Sequence, residues 1–146
     1  MTSSPTELRG TQVTELYTKA ADQLGSDKAP VRLAGLYALE RLAQDNPGQR
    51  QTIVNVICAY FQMPYTPPGS APVEPPVESP SSAEGAVVDE GTRADVEQER
   101  HENRRQDYEK RAQERRVRTT ARRILHRHLT KTPSEQLRWN TTVDLS

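Results

Sequence analysis

The apolar side chains of this chain are concentrated in two stretches, residues 1–63 and 117–129, and the residues between them are proline-rich or charged. A core must therefore form within the first stretch or by bringing the two together, because nothing between them carries a periodic apolar pattern. Hydrophobic residues make up 33% of the 146 positions, well under the roughly 45–50% of ordinary globular chains, which leaves material for one small domain. No stretch approaches the roughly 18 unbroken apolar residues needed to cross a bilayer. The opening Met1-Thr2-Ser3-Ser4-Pro5 lacks the basic and apolar regions of a signal peptide, so a cytoplasmic location is expected. The lone Cys58 cannot form an internal disulfide, which fits that expectation.

Within the first stretch the spacing predicts three helices and an all-α fold. Val13, Leu16, Tyr17, Ala20 and Leu24 fall on one stripe of a first helix over residues 11–24, after a flexible segment 1–10. Gly25 suits a left-handed cap, and Ser26 or Asp27 can open a second helix that tolerates Pro30 in its first turn and runs to about Asp45. On that helix Val31, Ala34, Gly35, Ala38 and Leu42 project to one side and Leu33, Leu36 and Tyr37 to the other, which predicts neighbours on both, with Leu39 and Leu42 buried. Asn46-Pro47-Gly48 signals a turn, and Ile53, Val54, Val56, Ile57, Tyr60 and Phe61 give a third helix that stops before Pro64. Residues 11–63 are close to the lower size limit for independent stability, so further packing surface is expected from elsewhere.

Residues 64–92 hold seven prolines with small and acidic residues between them, the composition of a disordered linker. From 93 to 130 strong helix formers predict one long charged helix. Its first half has no apolar side chain between Val96 and Tyr108, whereas Val117, Ala121, Ile124, Leu125 and His128 gather into a stripe. The stripe is expected to dock on the first three helices, the competing arrangement being a short coiled coil with a second copy. Net charge is zero but strongly segregated: residues 1–92 carry 6 basic and 11 acidic side chains, and residues 93–131 carry 13 and 7. Residues 131–146 read as an irregular segment after the helix.

The run Gln23-Leu24-Gly25-Ser26-Asp27-Lys28, followed by Val31-Arg32-Leu33-Ala34-Gly35-Leu36-Tyr37-Ala38-Leu39-Glu40-Arg41-Leu42-Ala43, closely resembles the helical N-terminal region of actinobacterial pentapeptide-repeat proteins. That family commonly continues through a helix similar to residues 120–129, then a tryptophan, then the first repeat coils. Here Trp139 precedes Val143-Asp144-Leu145-Ser146, which looks like the opening of one pentapeptide unit. Residues 28–43 also resemble the second half of a HEAT-type helical repeat, which implies an interaction scaffold. Relatives often carry membrane-spanning segments upstream, and their repeats stack into a solenoid. Neither feature occurs in these residues, so the chain reads as a shortened member without the activity that resides in the repeats.

No cofactor and no metal site is expected. His126 and His128 point about 200° apart on a helix and cannot share an ion, His126 being read as solvated and His128 as partly packed. Cys58 reads as a small buried apolar residue. No phosphate-binding glycine loop, nucleophile elbow or dinucleotide fingerprint occurs, and an enzymatic role is not expected. The sharpest chemical signal is the cluster Arg115, Arg116, Arg118, Arg122, Arg123 and Arg127. Two functional readings stay open beside a merely solvated charged face. One is a non-enzymatic interaction or scaffold module with an unidentified protein partner, contacted through Val117, Ala121, Ile124 and Leu125. The other is a nucleic-acid-associated protein with Arg116, Arg118, Arg122, Arg123 and Arg127 as phosphate contacts, disfavoured by the absence of interleaved aromatics and by seven acids in the same segment. Oligomeric state is left open.

Overall fold

The structure, a computed structural model, describes residues 4–70, 90–130 and 139. They form four helices, α1 (Pro5–Leu24), α2 (Ala29–Asp45), α3 (Arg50–Gln62) and α4 (Glu90–Leu129), with a 3-10 turn at Pro47–Gln49. No strand occurs among the described residues, and the all-α class holds. The described parts of 1–65 and 114–146 make one compact unit, and those of 66–113 make a second.

Helix α1 begins earlier than its apolar stripe indicates. Ser4 and Glu7 form a reciprocal capping box, the Glu7 amide donating to Ser4 Oγ at 3.4 Å and the Ser4 amide to Glu7 Oε2 at 3.1 Å, with Pro5 in the first turn. Residues 5–10, expected to be flexible, are therefore helical. At the other end Gly25 has φ −79°, so the left-handed cap expected there is absent. Ser26 Oγ accepts from the Lys28 amide instead, and the Ser26 carbonyl accepts from Arg32 Nη1 at 2.8 Å. Gly35 serves the close approach of α2 to α1. A Cβ there would lie 2.7 Å from the Leu24 nitrogen and 2.8 Å from the Ala20 carbonyl oxygen.

Helix α2 buries one broad face, Gly35, Leu36, Leu39, Leu42 and Ala43, rather than two opposed ones. Ala34 and Ala38 are exposed, and Tyr37 retains 53% of its surface. The α2 to α3 turn is closed by side chains that reach the last α2 carbonyls, which have no partner within the helix. Asn46 Nδ2 donates to Leu42 O at 3.0 Å and Arg50 Nε to Ala43 O at 2.9 Å. Helix α3 then presents Ile53, Val54, Ile57, Cys58 and Tyr60 to the core.

The second half of α4 completes that core. Val117, Ala121, Ile124 and Leu125 join one buried cluster with α1, α2 and α3 residues, and Trp139 belongs to it with 2% of its surface exposed. The four α4 side chains expected to meet a partner are internal, because they cover apolar surface of the first three helices. Of the expected linker, residues 71–89 lie outside the described set, Gly69 makes a turn with φ +86°, and α4 already begins at Glu90. The pentapeptide-like 143–146 also lies outside the described residues.

Within 66–113 the exposed part of α4 is supported by i,i+4 pairs. Arg111 Nη2 lies 2.6 Å from Asp107 Oδ2, and Arg105 Nε lies 3.5 Å from Glu109 Oε1.

Candidate functional site

Between Glu114 and Leu129 helix α4 sorts its side chains into two sectors. At about 100° per residue, Glu114, Val117, Arg118, Ala121, Ile124, Leu125 and His128 fall within an arc of about 120° turned to the core. Arg115, Arg116, Thr119, Arg122, Arg123, His126 and Arg127 fall within the opposite arc of about 140°, and all seven are exposed. Burial of the stripe therefore fixes which arginines face outward.

Two polar clasps hold the helix in this rotation. In the first, one Glu114 carboxylate takes three donors. Tyr60 Oη donates at 2.7 Å to Oε1, Arg118 Nε at 2.9 Å to Oε1, and Arg32 Nη2 lies 3.0 Å from Oε2. Arg118 also donates to the Phe61 carbonyl at 3.0 Å and the Met63 carbonyl at 2.8 Å, and its guanidinium lies 4.7 Å from the Tyr65 ring centroid. The α3 C-terminus thus finds partners for its last carbonyls in an α4 side chain. Burial, and then the bond to Glu114, pushes the Tyr60 phenol above its ordinary value of 10. In the second clasp Glu40 Oε1 meets His128 Nε2 at 2.6 Å and Arg127 Nη1 at 2.9 Å. The fully buried His128 ring stacks on Trp139, centroids 4.2 Å apart and planes 8° from parallel, and its carbonyl accepts from the Trp139 amide at 2.7 Å.

These contacts redistribute the six arginines. Arg118 is committed to the fold. Arg127 is ion-paired to Glu40 while keeping 47% of its side chain exposed. The side chains of Arg115, Arg116, Arg122 and Arg123 make no hydrogen bond or ion pair with any described residue. Of the five arginines expected to contact phosphate, Arg116, Arg122 and Arg123 are thus fully presented, Arg127 in part and Arg118 not at all. Arg115, left out of that set, belongs to it. Glu114 is the only acidic residue in 110–131, and it points inward, so no carboxylate interrupts the outward arc from 115 to 127.

His126 is exposed, as its helical phase implies, whereas His128 is wholly internal rather than partly packed. Beside the first clasp a cleft of about 500 Å³ is walled by Ala21, Leu24, Val56 and Ala59, with Tyr60 and Arg118 at its polar side. Those polar groups are bonded to one another through Glu114. Among the described residues no three His, Cys, Asp or Glu side chains gather as a metal site requires, and no helix is long and apolar enough to cross a membrane. The sequence reading missed Glu40, Glu114 and Trp139 as structural residues. A sole acid within a basic segment was the available signal for Glu114.

Comparison of the chain with protein-family models, with curated proteins and with solved structures found no match.

Proposed function

We propose that this chain is a non-catalytic helical interaction module whose working surface is the arginine face of α4 and whose partner is acidic. One observation carries the reading: four neighbouring guanidinium groups, Arg115, Arg116, Arg122 and Arg123, stand exposed without an anionic partner among the described residues. Cations left uncompensated on one face create a local positive potential that draws and orients an anionic partner. The polar groups beside the cleft at Tyr60 are tied up in the Glu114 clasp, and the role proposed is a binding one. A scaffold role in the reducing cytoplasm, akin to that implied by the resemblance to the pre-repeat region of pentapeptide-repeat proteins, belongs to the same proposal.

The test is retention of the full chain on two immobilised polyanions, poly-L-glutamate and random-sequence duplex DNA. The chain carrying Arg115→Gln, Arg116→Gln, Arg122→Gln and Arg123→Gln should elute at clearly lower salt from at least one of them. Unchanged elution of that variant from both would remove the arginine face as the binding surface.

A further inference from the structure

Resting on that reading, we infer that the acidic partner is the phosphodiester backbone of duplex nucleic acid, gripped without sequence preference by Arg115, Arg116, Arg122 and Arg123.

Three features of the face point to phosphate rather than to carboxylates on a protein. The first is what it lacks. Protein interfaces build their energy on a desolvated centre rich in apolar and aromatic side chains. The outward arc from 115 to 127 contains none, because every apolar residue of this half-helix is turned into the core. A surface of Arg, Thr and His alone would meet a protein as a rim without a centre.

The second is residue type. Every basic side chain on the arc apart from His126 is arginine, and none is lysine. The planar guanidinium fork matches two phosphate oxygens at once and is less strongly hydrated than an ammonium, so it is the side chain suited to a phosphate backbone.

The third is spacing. Arg115 and Arg122 form one row and Arg116 and Arg123 another, each pair seven residues and so about 10.5 Å apart along the helix. Thr119 lies between the rows with its hydroxyl engaged by the Arg115 carbonyl at 2.8 Å. Long arginine side chains on two such rows can reach several phosphates of a duplex backbone. The absence of aromatics on the face leaves no platform for unstacked bases, which selects duplex over single strand and backbone over sequence.

The experiment measures binding of the full chain to a labelled random-sequence DNA duplex of about 20 base pairs by fluorescence anisotropy, across about 50 to 200 mM salt. Four phosphate contacts give a slope of log affinity against log salt of about −3.6, hence on the order of a hundredfold weakening over that range. In the variant with all four arginines changed to Gln the slope should collapse by about that amount. Changing Arg122 and Arg123 alone should remove about half of it, which keeps the test sharp if the fourfold variant misfolds. Arg100, Arg104 and Arg105 are exposed among acids on the earlier part of α4, and changing them to Gln should alter affinity less than twofold. Poly-L-glutamate at equal charge should displace the duplex poorly.

A slope near zero, an equal loss in the control variant, or a strong preference for one DNA sequence would overturn the inference. Tight arginine-dependent binding to poly-L-glutamate with none to DNA would overturn it while leaving the interaction-module reading intact. Binding to neither polyanion would sink both.

Discussion

Glycines at two places in α1 and α2 show how one atom decides sign. At Gly35 an added Cβ meets α1 backbone at 2.7 and 2.8 Å, and backbone cannot rotate away. Gly35→Ala should therefore lower stability by about 1–3 kcal/mol through forced separation of the two helices. Gly10 lies in α1 with nothing within 4 Å of its would-be Cβ, and Gly10→Ala should raise stability by about 0.5–1 kcal/mol from backbone entropy alone. Thermal melts of the two variants should move in opposite directions. Glu114 gathers Tyr60, Arg32 and Arg118 on one carboxylate. With Arg32 and Arg118 retaining only 13% and 12% of their side-chain exposure, Glu114→Ala leaves two largely buried cations facing each other. It should cost about 3–5 kcal/mol, a large share of what a small domain has. Tyr60 adds a pH dependence whose direction follows from its raised phenol. A folded-state value above the unfolded one means the neutral phenol is favoured by folding, so its contribution is complete below the unfolded value of 10 and is lost as the pH climbs toward the raised one. Stability measured by denaturant melts from about pH 9 upward should fall more steeply in the wild type than in Tyr60→Phe.

Elements were read from the sequence where a single periodic pattern dominated, and misread where a second determinant intervened. The α2 and α3 bounds follow from the Gly25, Pro30, Asn46-Pro47-Gly48 and Pro64 signals, and the 117–125 stripe from 3.6-residue spacing, since burial of one face is what stabilises such a helix. The α1 start was missed because its first turn is fixed by the polar Ser4–Glu7 capping box, which leaves no trace in hydrophobic spacing. The two-sided reading of α2 failed for a different reason. Leu36 and Leu39 share the face of Gly35 and Leu42, and a glycine marks close approach rather than an apolar contact. The arginine face was legible as a cluster, but which of its members are free was not, since that depends on Glu40 and Glu114 partners that are distant in sequence or unremarkable in it. Helix α4 makes the contrast testable along its own length. Ile124, 1% exposed, should cost about 2–4 kcal/mol on truncation to Ala. Val96, 42% exposed, should cost less than about 0.5 kcal/mol.

At the scale of the whole molecule, one structural decision links stability to the proposed function. The first three helices are too few to cover their own apolar surface, and the only amphipathic segment left in the chain is 117–128. Burying Val117, Ala121, Ile124 and Leu125 sets the rotation of α4, and that rotation turns Arg115, Arg116, Arg122 and Arg123 outward together. Core and candidate site are therefore opposite sides of the same fifteen or so residues, and a change that releases the stripe also scatters the arginines. The charge segregation seen in the sequence fits this division, because the sole acid of 110–131 works inside the fold and leaves the outer face purely cationic. The central claim is that residues 117–128 belong to the same cooperative unit as α2 and α3. Native-state hydrogen exchange on the full chain reads this directly, because amides that open only on global unfolding share one free energy of exchange. Amides of 117–128 are expected to exchange with the slow, common rate of 35–43 and 53–60, while those of 97–107, on the fully exposed part of α4, exchange faster by orders of magnitude. Exchange of 117–128 as fast as 97–107, with α2 and α3 still protected, would contradict that claim.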